Sequence, residues 1–377
     1  MADGRCIRIL IVDDSAVTRS LLRAVIATDA GLQVAGTAAD GESALECMEM
    51  LRPDLVVLDV EMPVMDGLVT LKEMRMRGHG MPVVMCSSLT QRGARVTIEA
   101  LAGGASDYVA KPAGQTGREP AMRLLTQELI PKIHALAGTS QGQPQPVFPG
   151  VARGPVTLPV GLAQKAQPIV SIPAVVAIGV STGGPAALDV LLPALPENFP
   201  LPVLIVQHMP ELFTRPFAER MDGRCRLRVR EAAEGDPVRP GTIYIARGNW
   251  HMEVLAAASS ASPATLHLNQ GPMENYCRPA ADALFRSVAG VYGSGVLAVV
   301  LTGMGSDGLA GCRTIRDHGG SVLAQDQATS IVWGMPGAVA NAGLAHNVLP
   351  LDALAQEIVR IASRAQRVAS RPMKSAV

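Results

Sequence analysis

The chain has 377 residues, 48% of them hydrophobic and 18% charged, and its 33 basic residues balance its 33 acidic residues. A chain of this length can form two domains with separate cores. We expect a cytoplasmic protein without membrane insertion, because no apolar run reaches the ~18 residues of a membrane span and no secretory leader pattern is present. Nucleic-acid binding is disfavoured, since phosphate contacts require an excess of Lys and Arg.

The cysteines are scattered along the chain and include no Cys-x-x-Cys pair. This spacing argues against a disulfide framework and against a zinc site. We therefore expect reduced cysteines that lie mostly in the core. The six are Cys6, Cys47, Cys86, Cys225, Cys277 and Cys312.

Residues 138–172 divide the chain into two parts. This stretch contains Gly, Gln and Pro but no acidic residue. Because it lacks the apolar periodicity of a packed segment, we expect a mobile, partly extended linker. The sequence therefore predicts a first domain over residues 1–137 and a second domain over residues 173–377.

The first domain alternates apolar segments with helical patterns, which predicts a doubly wound α/β fold with a parallel sheet. In such sheets the site lies outside the carboxyl ends of the strands. Five strands are predicted, at residues 6–12, 32–38, 54–58, 81–86 and 107–110.

Polar side chains follow four of these five strands. Asp13 and Asp14 follow the first, Asp59 the third, Ser87 the fourth and Lys111 the fifth. Converging carboxylates repel one another, and a bound Mg²⁺ with oxygen ligands relieves that repulsion. One carboxylate would then accept a phosphoryl group whose oxygens contact the metal, the lysine and the serine hydroxyl. The alternative is that the first two carboxylates cap the following helix and that the lysine lies on the surface.

Three motifs of this domain resemble those of the receiver domains of two-component response regulators. They are VDDS at 12–15, LDVEMPVMDG at 58–67 and VAKP at 109–112. The resemblance covers the whole domain and implies a flavodoxin-like, five-stranded parallel sheet.

The resemblance also implies roles for individual residues. Asp59 would be phosphorylated by a chemotaxis histidine kinase in the presence of Mg²⁺. The implied metal ligands are Asp13, Asp14 and Asp59. The implied switch residues are Ser87, Tyr108 and Lys111.

In the second domain, the sequence VVAIGVSTGGP at 175–185 predicts a buried parallel strand, a tight loop and a helix over 186–195. Ser181 lies at that turn. Backbone N–H groups at a helix start carry partial positive charge, and glycines allow a substrate to approach them. The position suits a developing oxyanion.

Three interpretations of this loop compete. Gly179 and Gly184 have the spacing of a phosphate-binding loop, but Pro185 replaces its lysine. A dinucleotide fingerprint fails because Ser181 occupies the place of its second glycine. Residues 179–183 fit the Gly-x-Ser-x-Gly form of a nucleophile elbow. The remaining alternative is that the serine only caps the helix.

A serine nucleophile needs a base and an orienting acid. His208 ends the apolar run 202–207 and so lies at the same sheet edge as the serine. Asp307 follows the predicted strand 296–301, where it competes with a role as N-cap of the helix 309–317. Asp326 is a rival acid, because it also follows a predicted strand. The order Ser, His, Asp differs from that of α/β-hydrolases and indicates a separate fold.

Four motifs resemble the catalytic domain of the chemotaxis protein-glutamate methylesterases, the CheB family. They are GVSTGGP at 179–185, QHMP at 207–210, LTGMGSDG at 301–308 and WGMP at 333–336. The match extends along nearly the whole domain, which we expect to be a doubly wound, mostly parallel α/β domain. The linker departs from the shorter hinge of that family.

The methylesterase resemblance implies that Ser181 is the nucleophile, His208 the base and Asp307 the orienting acid. It also implies that Thr182 and Met304 line the site, with the Met304 backbone as an oxyanion donor. No metal is expected in this half.

The resemblance implies an enzyme that hydrolyses glutamate methyl esters of methyl-accepting chemotaxis proteins and releases methanol, and it allows deamidation of receptor glutamines. Joining a receiver to a hydrolase suggests that access to Ser181 is restricted until Asp59 is phosphorylated. Two alternatives remain at this point: a receptor-binding module without turnover, and a hydrolase acting on a different ester in another pathway. A DNA-binding output is disfavoured, because no basic recognition helix is present.

Overall fold

The computed structural model describes residues 6–111, 117–137, 169, 171–257, 259 and 262–369. The chain divides into two compact units at residues 149 and 150. Most of the predicted linker 138–172 lies outside the described residues, so its extended form stays a prediction. Its last residues pack on the second unit: Ile169 is buried, and the Ser171 Oγ lies 3.0 Å from the Ser321 Oγ.

The first unit contains a five-stranded parallel sheet in the order β2-β1-β3-β4-β5. The strands are β1 Ile7–Val12, β2 Leu32–Ala38, β3 Leu55–Asp59, β4 Val83–Ser87 and β5 Asp107–Ala110. The helices are α1 Ala16–Ile26, α2 Gly41–Leu51, α3 Gly67–Met76, α4 Gln91–Ala102 and α5 Arg118–Ala137. The predicted fold of this half is confirmed. Two strands have the predicted bounds, and the other three begin or end within two residues of them.

The second unit contains a seven-stranded sheet in the order β14-β13-β12-β6-β7-β9-β8, in which every neighbouring pair is parallel. Its strands are β6 Val175–Val180, β7 Val203–Gln207, β8 Arg228–Glu231, β9 Thr242–Ile245, β12 Val296–Val300, β13 Ser321–Gln325 and β14 Asn347–Leu349. An antiparallel hairpin, β10 His251–Leu255 with β11 Thr265–Asn269, accompanies this sheet. The predicted parallel α/β class is confirmed.

The helices of the second unit are α6 Gly184–Leu191, α7 Glu211–Asp222, α8 Ala281–Tyr292, α9 Leu309–Asp317, α10 Met335–Asn341 and α11 Leu351–Ala369. The predicted helix over 186–195 is shorter as an α-helix, because a 3₁₀ turn at Leu192–Ala194 replaces its last turn. Pro193 lies inside that turn and has no N–H for an α-helical hydrogen bond. None of the described helices is long and apolar enough to cross a membrane.

Helix α8 packs closely against the sheet through Phe285, which is fully buried. A Cβ on Gly311 would lie 2.4 Å from the Phe285 Cβ, and Cβ atoms on Gly179 and Gly308 would lie 3.3 and 3.2 Å from its ring. Glycine at these positions leaves room for the aromatic ring. This close packing fixes the start of α8 beside the loop that follows β12.

Candidate functional sites

The first site lies at the carboxyl edge of the receiver-like sheet, where β1 and β3 are neighbours. Oxygen atoms of Asp13, Asp14 and Asp59 lie within 4.8 Å of one another. The Lys111 Nζ is 2.8 Å from the Asp13 Oδ2 and 2.7 Å from the Asp59 Oδ2. Four of the five side chains that the sequence predicted at this edge are therefore brought together, and the fifth, Ser87, is described below.

The electrostatics of this cluster suit a cation. Burial raises the pKa of Asp59 to about 6, although contact with Lys111 opposes the rise. Burial also disfavours the charged form of Lys111, but its two carboxylate partners raise its pKa. Three carboxylates at one edge form the hard oxygen donor set that Mg²⁺ requires. The residues present therefore fit a magnesium site.

The alternative of helix capping does not hold for Asp13 or Asp14. The N-cap of α1 is Ser15, whose side chain accepts from the Thr18 N–H. Asp13 instead accepts from the Ser15 N–H through Oδ1, while its Oδ2 faces Lys111. Lys111 is no surface lysine, since its side chain is only 22% exposed.

The two remaining predicted switch residues lie on β4 and β5. Ser87 is fully buried and follows Cys86, which pairs with Asp59. Its hydroxyl donates to the Ser88 carbonyl, at 3.3 Å, rather than to a carboxylate. Tyr108 is buried, and the Lys132 Nζ lies 5.0 Å from its ring centroid. Their switch role stays a prediction.

The second site begins at Ser181, directly after β6. Its N–H donates to the Thr302 carbonyl at 3.0 Å, and its carbonyl accepts from the Gln207 side chain at 3.0 Å. The N-cap of α6 is Gly183, with φ 77° and no side-chain capping bond. The interpretation of Ser181 as a helix cap is therefore wrong, and its hydroxyl is not committed to the helix.

The loop after β12 lies against this serine. A Cβ on Gly303 would lie 2.8 Å from the Ser181 Cβ, so only glycine allows the approach. The Thr302 hydroxyl donates to the Thr182 carbonyl at 2.9 Å and ties the two loops together. Met304 is the next residue of the loop and is partly buried. A donor role for its backbone stays a prediction.

His208 and Asp307 are in contact. The His208 Nε2 lies 2.7 Å from the Asp307 Oδ2, and the carboxylate is almost completely buried. The reason is the strand order: β7 and β12 lie on either side of β6. The rival Asp326 follows β13, one strand further away, and accepts from Thr329 instead.

The carboxylate of Asp307 is held by the start of α8. It accepts from the N–H groups of Ala281 at 2.6 Å and Asp282 at 3.1 Å. The N-cap of this helix, Ala280, has no side chain able to satisfy these donors. Asp307 therefore caps α8 from a distant part of the chain. It is not the N-cap of α9, because Gly308 occupies that position.

The two groups shift each other's pKa in opposite directions. Burial is the largest single influence on His208 and disfavours its charged form, but the hydrogen bonds and charges of Asp307 and Cys277 together outweigh it, so the pKa of His208 is raised. Burial alone would raise the pKa of Asp307; His208 and the amides of α8 lower it instead. The arrangement therefore stabilises an imidazolium, which a general base becomes when it accepts a proton.

Two neighbours of this pair were not predicted. The Asn275 Nδ2 donates to the Asp307 Oδ1 at 3.0 Å, and the Cys277 Sγ lies 3.5 Å from the His208 Nδ1. Because the His208 Nε2 is hydrogen-bonded to Asp307, Nδ1 is the ring nitrogen that remains to accept a proton. Neither residue directly follows a strand, so the search for polar residues at strand ends could not find them. A turn-forming Asn shortly before Pro279 is the local sequence feature that points to this turn.

The expectation that most of the cysteines lie in the core is wrong. All six are free, but only Cys86 and Cys312 are buried. The other four are partly exposed: Cys6 and Cys225 lie outside helices and strands, Cys47 lies in α2, and Cys277 lies in a turn before α8.

Comparisons with known proteins cover both units. The receiver-domain family model of response regulators matches residues 9–117, and the CheB methylesterase model matches residues 176–358. A protein-glutamate methylesterase/protein-glutamine glutaminase of Nocardioides sp. is 50% identical over 360 residues, which are 95% of this chain and 96% of the relative. The chain belongs to the protein-glutamate methylesterase/protein-glutamine glutaminase family.

A second relative in this methylesterase family, from Trichodesmium erythraeum, is 46% identical over 357 residues, 94% of this chain and 98% of its own length. The Thermotoga maritima CheB methylesterase catalytic domain, known from a crystal structure, has 40% sequence identity to this chain and a TM-score of 0.49. The match covers 50% of this chain and 98% of the Thermotoga maritima chain. The two family models and the two relatives confirm the family resemblances inferred from the motifs of both domains. The roles of individual site residues remain predictions.

Proposed function

We propose that the chain hydrolyses glutamate methyl esters of methyl-accepting chemotaxis proteins, with Ser181 as nucleophile, His208 as base and Asp307 as orienting acid. The observation that carries this proposal is the 2.7 Å contact between His208 and Asp307 at the edge where Ser181 lies. Val180 pairs with Gln207 in neighbouring strands, so serine and histidine leave the sheet at the same level. Family membership supports the same reaction.

The geometry supports a two-step path. The Ser181 Oγ attacks the side-chain carbonyl carbon, and the His208 Nδ1 takes the serine proton. Asp307 stabilises the resulting imidazolium, which gives the proton to the methoxy oxygen as the ester bond breaks, so that the group leaves as methanol. Water then attacks the acyl-serine, with His208 again as base, and frees the glutamate. The Nδ1 faces Cys277 before substrate binds, so a small adjustment of the ring or of the serine precedes the transfer.

The same path removes ammonia from a receptor glutamine. The amide nitrogen takes the place of the methoxy oxygen and leaves with the proton from His208. Methanol is the better leaving group, so ester hydrolysis is the faster reaction. Thr182 and the Met304 backbone line the site, where the loop after β12 is tied to the nucleophile loop, and the Met304 N–H stabilises the oxyanion.

The first unit regulates this activity. Asp59 attacks the phosphoryl group delivered by the chemotaxis histidine kinase, and Lys111, in contact with Asp59, stabilises the phosphoryl oxygens. Asp13, Asp14 and Asp59 would hold Mg²⁺, which supplies charge neutralisation for this transfer. Ser87 and Tyr108 respond to the new charge, and the esterase activity of the second unit rises.

The test is methanol release from a methylated receptor fragment, in the presence of Mg²⁺ and a small phosphodonor. The unaltered protein releases methanol, and Ser181→Ala does not. The matched control is Ser259→Ala, at an exposed serine whose hydroxyl lies 3.0 Å from the Ser262 Oγ, and it keeps full activity. If the unaltered protein bound the receptor without releasing methanol, the second unit would be a binding module. Release from another ester alone would indicate a different pathway.

A further inference from the structure

Residues 274–277 form a tight turn shortly before α8. The Glu274 N–H donates to the Cys277 carbonyl at 3.1 Å, and the Cys277 N–H donates to the Glu274 carbonyl at 2.8 Å. The two central residues, Asn275 and Tyr276, have φ values of 50° and 63°. A turn with two left-handed central residues favours Asn followed by Gly. Tyr276 therefore occupies a position where glycine would be less strained.

Both neighbours of this tyrosine contact the catalytic pair. The Asn275 Nδ2 donates at 3.0 Å to the Asp307 Oδ1 and at 3.0 Å to the Asp282 Oδ2. On the other side, the Cys277 Sγ lies against the His208 Nδ1. The backbone is thus fixed immediately before and after Tyr276. The Cα of Tyr276 is therefore held in a defined position near His208.

The tyrosine side chain contributes no packing to the second unit. Tyr276 is 98% exposed, and Met273, three residues earlier, is 59% exposed. A fully exposed aromatic ring gains no burial, and its backbone is strained, so the stability of the fold would favour glycine. An aromatic residue at such a place is explained by a contact made with another molecule, because Tyr is enriched among the residues that anchor interfaces.

We propose that Tyr276 is a substrate-contact residue that packs against apolar side chains of the receptor segment next to the methyl-esterified glutamate. The inference rests on the proposed function, since it concerns the substrate of the same site. The occupant is the receptor segment itself, because the turn that carries the ring contacts both His208 and Asp307. Tyr276 makes no contact with the reacting atoms, so it contributes to receptor binding and leaves the chemical step unchanged.

The experiment compares Tyr276→Gly and Tyr276→Phe with the unaltered full chain. Three quantities are measured: methanol release from a methylated receptor fragment, hydrolysis of p-nitrophenyl acetate, and the midpoint of thermal unfolding. We expect Tyr276→Gly to raise KM for the receptor fragment about tenfold, with kcat unchanged. Hydrolysis of the small ester stays the same, because that ester does not reach the ring. The unfolding midpoint does not fall, since glycine suits the turn, and Tyr276→Phe keeps KM near the original value.

Each contrary outcome has a separate meaning. An unchanged KM in Tyr276→Gly, with the unaltered protein active on the receptor fragment, overturns the inference alone. An equal loss of kcat on both substrates also overturns it, because the turn would then only position His208. Absence of methanol release by the unaltered protein contradicts the proposed function, and this inference falls with it.

Discussion

The carboxylate of Asp307 shows how one buried charge is stabilised by contacts from distant parts of the chain. Burying an ion without partners is costly, and removing one partner of a buried pair commonly costs several kcal/mol. Asp307 receives hydrogen bonds from the amides that begin α8, from the Gly308 N–H, from Asn275 and from His208. These donors keep it ionised, and an ionised Asp307 raises the pKa of its histidine partner.

The pKa of His208 gives the first prediction. We expect the folded-state pKa to lie above the ordinary value of 6.5, and esterase activity to rise with pH through that pKa, because only the neutral ring accepts a proton. The contribution of His208 to stability is fully present below 6.5 and is lost as pH rises through its raised pKa, whereas that of Asp307, whose pKa is lowered, is lost as pH falls through the lowered pKa. NMR titration of the histidine ring protons, assigned with His208→Gln, measures the value. Asp307→Asn lowers it, and an unchanged pKa in that variant would contradict the proposed pairing.

Asn275 gives a second prediction at the same scale. Its amide donates to both Asp282 and Asp307. Asn275→Asp replaces a donor by a third carboxylate, so we expect kcat for methanol release to fall at least about tenfold and stability to fall by about 1–3 kcal/mol. Asn269→Asp, on the hairpin strand β11, is the matched control and leaves kcat unchanged. Equal kcat values for the two variants would show that Asn275 does not support the carboxylate.

At the scale of elements, α8 joins the packing of the second unit to its chemistry. Its first amides hold Asp307, and Phe285, one turn later, fills the space left by glycines of β6 and α9. Any shift of the helix that repacks Phe285 also moves the donors of the carboxylate. Stability and activity are therefore coupled through this one helix.

Phe285→Ala tests this coupling. We expect the free energy of unfolding of the second unit to fall by about 3–5 kcal/mol, because the ring leaves a cavity that the glycine-lined wall cannot fill. Urea-induced unfolding monitored by tryptophan fluorescence measures the stability of this unit alone, since both tryptophans of the chain, Trp250 and Trp333, lie in it. Leu255→Ala, at a residue that is 49% exposed, changes the free energy by no more than about 0.5 kcal/mol. A small effect of Phe285→Ala would show that α8 is held mainly by other contacts.

At the scale of the whole molecule, the chain combines a receiver domain with a methylesterase domain. Turning an equilibrium from 1:99 to 99:1 needs about 5.5 kcal/mol of differential stabilisation, which exceeds most single allosteric couplings. We therefore expect phosphorylation to produce a partial increase in activity rather than an all-or-none change.

Stimulation by a small phosphodonor and Mg²⁺ measures this coupling. Methanol release by the full chain increases, while Asp59→Asn stays at the unstimulated rate. Chelation by EDTA removes the increase but not the basal activity, because the proposed metal ligands, Asp13, Asp14 and Asp59, belong to the first unit. Asp54→Asn, at the opposite end of β3, keeps the response. A chain beginning at Ile172 is more active than the unphosphorylated whole; equal rates would exclude inhibition by the first unit.

The sequence by itself determined both α/β folds, the strand-end positions of Asp13, Asp59 and Lys111, and the edge shared by Ser181 and His208. These features could be predicted because a buried parallel strand has a local sequence pattern: an apolar run that ends at a polar residue. Only the tertiary structure showed that Asp307, and not Asp326, contacts His208, because that contact depends on β12 lying next to β6. It alone also showed that Gly183 and Gly308 are the N-caps of α6 and α9, because a cap is defined by the backbone conformation. It alone showed that Asn275 and Cys277 contact the pair, since these contacts join residues 32 and 69 positions apart that carry no shared local pattern.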